Sequence, residues 1–451
     1  MLTHEKEVKL TENLTIITME GIYDGAYDNL DIQEMSNQNI FSSIISTYKF
    51  YGLVTSKFDY NTTGLQTLLD YPADHKFDLI IYESSLGRYF YPLIERFHNP
   101  PVLAVTPFLF PPALSYVFGN HLQPSYIPFF STRYTTKMSL SQRILNFVYT
   151  YTEILYRIYI YSPREEALAK GRFKGLQQSL DEIERRVGLL LCNVNPVMGY
   201  PEALLPNIIP VGGLHAAPSK PLPEDLKKLM DNSKNGVILF SLGTNIKVDL
   251  LSLETRQALL KAFSRLPQTV LWKFDSDNIQ ELPKNVFIRK WLPQNDILGH
   301  PNTKLFINHG GALSSQEAIY HGIPVVGIPY VFDQINNVRK LVDKGVAVYL
   351  DKNDLTKENV YEAIQTALKF APIKMKELSK QYRGLPQTAL EKAVFWIEYF
   401  LRHGNAEHLV PEARDMPAYQ TSSFDVILVL LLCLLIIYLL VLFLKSCLFG
   451  K

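Results

Sequence analysis

From about residue 236 to residue 370 the chain alternates short apolar, β-branched runs with amphipathic stretches of helical length, and this alternation constrains the fold more than any other feature. The runs are Val237 to Ser241, Thr269 to Phe274, Lys304 to Asn308, Pro324 to Ile328 and Val346 to Leu350; helical patterns occupy 253–265, 312–321, 333–344 and 356–370. Strands separated by helices of this length predict a doubly wound parallel sheet. In such sheets ligands gather at the carboxyl ends of the strands, where loops run into helix N-termini. The first half repeats the theme less regularly, with strand-like runs at Phe77 to Tyr82 and Val102 to Thr106 flanking a helix at 86–97. Residues 126–162 are crowded with aromatics, among them Phe129, Phe130, Tyr149, Tyr151, Tyr156, Tyr159 and Tyr161, a composition suited to helices that line an apolar pocket, touch a membrane surface or pack on one another.

A Pro- and Gly-rich stretch from Leu205 to Gly213, followed by Pro218, Pro221 and Pro223, marks a domain link. The expected division is a first domain at 1–207, a second at 208–400, a linker at 401–425, a membrane helix at 426–444 and a tail at 445–451. Val426 to Leu444 are 19 uncharged residues, enough at about 1.5 Å per residue to cross a hydrocarbon core of about 30 Å. Lys445 and Lys451 lie beyond the span, whereas Glu407, Glu412, Asp415 and Asp425 precede it against Arg414, which predicts a cytosolic tail and a lumenal body. The first twenty residues show no apolar leader, so the two ends disagree: a lumenal body needs a leader, and a tail-anchored chain would keep its body in the cytosol. Sequons at Asn13 and Asn61 fit the lumen. Cys433 lies in the span, Cys447 in the tail and Cys192 alone in the body, so no disulfide forms within the body and the compartment stays open on this evidence. Lys plus Arg (45) nearly cancels Asp plus Glu (44), leaving no basic field to hold a polyanion; nucleic acid is not an expected partner.

Between Trp291 and Gln334 the polar residues fall where loops follow strands. His309, Gly310 and Gly311 end a strand and open a helix, an arrangement whose free N–H groups and helix dipole receive phosphate. Further along that helix Glu317 can accept two sugar hydroxyls, Trp291 offers a flat face to a base, and Asp333 with Gln334 opens the next helix with groups suited to hexose hydroxyls. Singly, each has a structural alternative: Trp291 as core, His309 as a satisfied buried histidine, Glu317 facing solvent, Asp333 as a helix cap. Their joint order argues for a site.

This window closely resembles the nucleotide-sugar signature of the UDP-glycosyltransferase family, and the similarity extends through Phe240 to Thr244, Val211 to His215, Ala393 to Glu398 and the C-terminal span. The resemblance implies an α/β protein of two facing Rossmann-like domains, the GT-B type, with a C-terminal transmembrane helix. It also implies an N-terminal acceptor domain, a C-terminal domain for the UDP-sugar co-substrate, and a place in the endoplasmic reticulum membrane. Trp291 would stack on uracil, Gln294 and Glu317 hold the ribose, Thr244, His309, Gly310 and Gly311 receive the diphosphate, and Asp333 and Gln334 hold the sugar. No metal and no other cofactor is expected, the diphosphate being neutralised by the helix terminus and hydrogen bonds.

Two departures shape the expected chemistry. In the family a histidine on the loop after the first strand deprotonates the acceptor and is oriented by an aspartate; the start of this chain resembles sequence that follows that loop, His4 is not assigned as the base, and Glu83 stands at the aspartate's place. Asn193 stands where glucuronosyl members carry an arginine able to pair with the sugar carboxylate, which favours a glucose donor. The expected reaction is inverting transfer of a hexose to a hydroxyl of a small lipophilic acceptor, with Phe108, Phe110, Phe118, Phe129 and Phe130 lining the acceptor pocket. The rival readings are a UDP-sugar-binding membrane subunit without its general base, and a tail-anchored cytosolic binding module; homo- or hetero-oligomers are left open.

Overall fold

The computed structural model describes residues 1–3, 12–21, 32–85, 87–107, 111–243, 246, 251–274 and 282–449. Its strands are β1 (Leu2–Thr3), β2 (Ile17–Thr18), β3 (Ile80–Glu83), β4 (Val102–Thr106), β5 (Leu189–Cys192), β6 (Ile208–Pro210), β7 (Val237–Ser241), β8 (Thr269–Lys273), β9 (Val286–Arg289), β10 (Thr303–Asn308), β11 (Val325–Gly327) and β12 (Ala347–Tyr349). β1 and β2 form a small parallel pair, and the other strands build two parallel sheets.

The second sheet runs β12-β11-β10-β7-β8-β9. The chain enters at β7, winds outward through β8 and β9, and returns to β10 on β7's other side. That reversal makes the β7/β10 boundary the topological switch point, the place where the carboxyl ends of two strands open a crevice. All strands are parallel, so helices cover both faces and the central runs are continuously apolar. Every residue of β7 is buried. One face packs Phe240, Trp272 and Ile307 against Leu259, Phe263 and Ile364 of the helices Leu253–Phe263 and Lys357–Phe370. The other packs Leu239, Phe306 and Val325 against Ile319, Leu341 and Met375.

The first sheet is β3-β4-β5-β6, with β5 wholly buried. The Ile208–Pro210 strand pairs with β5, so the first sheet takes in three residues beyond the division expected after 207. The helix Ala389–His403, capped by a reciprocal Thr388/Glu391 box, packs Ala393 and Phe400 against Leu103, Leu189 and Ile209 of this first sheet. The chain therefore crosses back to its own first half before the final helix. That helix, Phe424–Phe449, is the one element among the described residues long and apolar enough to cross a membrane, and none of it is buried against the body.

The helix expected at 86–97 is shorter, Pro92–Arg96, because Gly87 to Tyr91 form a turn ahead of Pro92. The crowded 126–162 region yields the helix Leu140–Tyr156, opened by a Ser139/Gln142 capping box. Its inner face carries Asn146, Thr150 and Glu153, while Leu140, Ile144, Phe147 and Leu155 are exposed.

Candidate functional site

A cavity of about 340 Å³ lies between the halves, at the carboxyl ends of β7 and β10. Gly243, His309, Gly311, Ser314, Asp333 and Gln334 line it from the second half; Tyr48, Ser85, Arg88, Phe130, Glu153 and Arg157 line it from the first.

His309 follows β10 directly, and two glycines make room for its ring. A Cβ on Gly311 would stand 2.5 Å from His309 Nε2, and one on Gly243 2.8 Å from its Cε1. Either substitution would drive the imidazole out of the switch point. Burial and the nearby Lys273 ammonium push the His309 pKa down to about 4, so the ring is neutral at pH 7 and can donate one N–H. Its Nδ1 has no hydrogen-bond partner among the described residues. Lys273, at the end of β8, donates to the Gly243 carbonyl (2.9 Å) and brings positive charge to the crevice that the sequence did not single out.

The helix Ala312–His321 starts at Gly311 with no side-chain cap. Ser315 N–H bonds the Gly311 carbonyl (3.0 Å), leaving the N–H groups of the first turn, where Ala312, Leu313 and Ser314 line the cavity, to face it. Free donors and the positive helix end together form an anion-receiving surface. On the next turn Glu317 meets Gln294: the Gln294 amide donates to Glu317 Oε2 and, at 3.1 Å, to Ser314 Oγ. Burial raises the Glu317 pKa. Trp291, three residues before Gln294, is 72% exposed, which removes the core alternative and leaves its indole face open to solvent.

Asp333 and Gln334 reach the cavity through a strained turn, Phe332 sitting at φ 56°. Asp333 accepts from Asn337 Nδ2 (2.7 Å), and burial raises its pKa. Gln334 uses its side-chain carbonyl to hold the turn, accepting from Tyr330 N–H (2.9 Å) and Val331 N–H (3.1 Å), so only its NH₂ remains for a ligand.

Other expected residues sit elsewhere. Thr244 and His4 lie outside the described residues, as do Phe108 and Phe110. Glu83 ends β3 with its carboxylate accepting from Ser85 N–H (2.8 Å); Ser84 and Ser85 line the cavity beside it. Asn193 uses its amide to join the end of β5 to Gly213 (2.9 Å) and Pro107 (3.3 Å), and is not part of the cavity wall. Phe118 and Phe130 line the cavity, whereas Phe129 is buried in the protein. An Asp-x-Asp triplet, Asp275-Ser276-Asp277, also lies outside the described residues.

The acceptor side holds charge that the aromatic composition concealed. Arg88, 2% exposed, donates from Nε to Glu165 (3.0 Å) and from Nη1 to Asp181. Arg157 pairs with Glu184 (2.6 Å). Glu153 accepts from the Tyr48 hydroxyl (2.7 Å) and Ala113 N–H (2.9 Å), and burial pushes its pKa up to about 7. Each buried cation thus has its carboxylate, and the remaining acid stands near neutrality.

Two facing parallel α/β units with a crevice between them form a fold of the GT-B type, and solved structures agree. The glycosyltransferase VinC in complex with dTDP superposes with a TM-score of 0.56 at 15% identity, covering 87% of this chain and 88% of its own. A UDP-glucosyltransferase from Polygonum tinctorium capable of glucosylating indoxyl gives 0.51 at 17% identity, over 77% and 82%. By sequence, residues 29–451 match the family described as UDP-glucoronosyl and UDP-glucosyl transferase. UDP-glucosyltransferase 2 of Dactylopius coccus is 37% identical over 79% of this chain and 70% of its own length, and UDP-glucuronosyltransferase 2B7 of Homo sapiens is 33% identical over 91% and 77%. The chain belongs to the UDP-glycosyltransferase family.

Proposed function

We propose that this UDP-sugar glycosyltransferase transfers glucose in preference to glucuronate to a hydroxyl of a small, neutral, lipophilic acceptor, with inversion. The observation that carries the reading is the cavity itself, in which the uncapped Ala312–His321 terminus with neutral His309 faces the Tyr48–Glu153 side. The acceptor oxygen attacks the anomeric carbon as the bond to UDP breaks. Negative charge develops on the leaving diphosphate, and the helix N–H groups with His309 stabilise it. The acceptor proton passes to a base; among the described residues on that side Glu153, at about 7, has the proton affinity nearest neutrality. Trp291 stacks on uracil, Gln294 with Glu317 holds the ribose, and Asp333 with the Gln334 NH₂ orients the hexose.

The donor preference rests on charge pairing and no longer on Asn193. Arg88 and Arg157, the two arginines in the cavity wall among the described residues, are already matched to Glu165 and Glu184. Apart from Lys273 at the end of β8, a glucuronate carboxylate would meet only guanidiniums already held in ion pairs. The same balance favours a neutral acceptor over an ionic one. The full chain given UDP-glucose and UDP-glucuronate with a small neutral phenol should turn over UDP-glucose faster by about tenfold or more, the scale of one buried charge-assisted contact. Faster transfer from UDP-glucuronate overturns the donor reading, and UDP binding without any transfer favours the non-catalytic subunit.

We place the body in the endoplasmic reticulum lumen with the Lys445 to Lys451 tail in the cytosol, on the charge asymmetry around the span. Asn13 and Asn61 are both exposed and able to carry glycan. Endoglycosidase treatment of the expressed protein should increase its gel mobility, whereas glycan-free chains in a secretory-competent cell would contradict this topology.

A further inference from the structure

The helix Gln334–Asp343, which brings Gln334 to the catalytic cleft, carries Asn336 and Lys340 into a second cavity of about 530 Å³. Lys340 is 2% exposed, and among the described residues no carboxylate lies within ion-pair distance of it. The Tyr200 ring lies 5.3 Å from its Nζ. Asn336 is fully buried, and neither its amide nitrogen nor its amide oxygen has a partner. Asp333 at the head of the helix acts on Lys340 through space, and so, less strongly, does Glu202, which lines the same cavity from the loop after β5 and has no hydrogen bond among the described residues. The other walls are mainly apolar and include Pro128, Pro196, Pro201 and Pro210.

Burying an ammonium without an ion pair and a whole primary amide without a hydrogen bond is costly, and a ligand that answers both while meeting the half-buried Glu202 recovers that cost on binding. A simple anion would satisfy Lys340 but face Glu202, and a simple cation would do the reverse. Only a molecule carrying both charges, set apart as these two residues are, meets the cavity without repulsion. We propose that this second cavity binds a small zwitterion with an apolar body, the chemistry of an apolar α-amino acid. Its carboxylate takes Lys340 Nζ and Asn336 Nδ2, its ammonium takes Glu202, and its side chain lies on the proline walls. Burial lowers the Lys340 pKa to about 8, which leaves it largely charged at pH 7 and able to pair.

Calorimetric titration of the detergent-solubilised full chain tests this, using L-phenylalanine, 3-phenylpropanoate (no ammonium) and 2-phenylethylamine (no carboxylate). Phenylalanine should bind, and each analogue should bind at least about tenfold more weakly, the scale of losing one charge-assisted contact. Lys340→Met and Glu202→Gln should each weaken phenylalanine by a similar factor while thermal unfolding shows an intact fold. Glu202→Gln decides the matter if Lys340→Met fails to fold. Saturating UDP should not displace the amino acid, which separates this site from the donor site whatever becomes of the donor reading. No phenylalanine binding up to about 10 mM, the weak end of small-ligand affinity, overturns the proposal. So do equal binding of 3-phenylpropanoate and displacement by UDP.

Discussion

On the proposed donor site, Glu317→Ala is expected to lower the affinity of the full chain for UDP by on the order of 100-fold, since two charge-assisted hydrogen bonds proposed to the ribose, at about 1.5 kcal/mol each, would be lost together. The same position should respond in the opposite sense in stability. Glu317 is half-buried beside Gln294, and its pKa is raised, so the folded protein disfavours its charged form. For an acid with a raised folded pKa, the stability it contributes is present below the ordinary value of 4.5 and is lost as pH rises through the folded value. At pH 7 the unbound chain therefore carries a small penalty at this carboxylate, and Glu317→Gln should leave thermal stability unchanged or raised while UDP binding falls. Calorimetry with UDP and thermal unfolding on the same samples separate the two effects. An affinity loss smaller than threefold, or a loss of binding that merely tracks a loss of stability, would remove Glu317 from the donor site.

Arg88→Met is expected to destabilise the protein by roughly 3–5 kcal/mol, the cost of leaving a buried charge without its partner. Glu165, opposite Arg88, is 0% exposed and among the described residues would keep the Tyr161 hydroxyl (2.9 Å) and the residue-88 backbone N–H. Asp181 would lose little, since 70% of its side chain already faces solvent. The double variant Arg88→Met with Glu165→Leu removes both charges and should regain most of the loss, a coupling that a double-mutant cycle in urea measures directly. UDP affinity should hold in both variants, because the donor groups belong to the other half. A single-variant cost under 1 kcal/mol, or a double variant no more stable than the single, would refute the assignment of this pair.

Local pattern carried far in this chain wherever one element decides its own structure. β4 and β7, and the helix Ala312–His321, begin and end where the runs of apolar residues and the flanking glycines place them. Parallel strands buried on both faces leave little choice about which residues form them. The residues of the proposed donor site were legible as a cluster for a related reason: His309, Gly311, Glu317 and Gln294 lie within 24 residues and are brought together by one strand, one loop and two short helices. β9 escaped notice because Val286–Arg289 is a short edge strand ending in a charge. β6 was hidden among the prolines of the link.

What local pattern determined on its own was the α/β class of fold and the long apolar C-terminal helix, because each depends on hydrophobic period and length, which are properties of contiguous residues; the switch point follows only from the order of strands in the sheet. What only the tertiary structure decided was partnership. The amphipathic pattern of Ala389–His403 shows that it has a face to bury, but not that the face belongs to the first sheet, 180 residues or more back along the chain. Glu153 and Arg157 lie one helical turn apart, but Tyr48, Arg88, Glu165 and Glu184 come from elsewhere in the sequence, and only folding turns an aromatic-rich helix into the wall of a charge-balanced pocket. Asn193 and the Gln334 carbonyl looked free in the sequence and are spent on backbone N–H groups in the fold, since a buried polar atom takes whatever partner packing brings within reach.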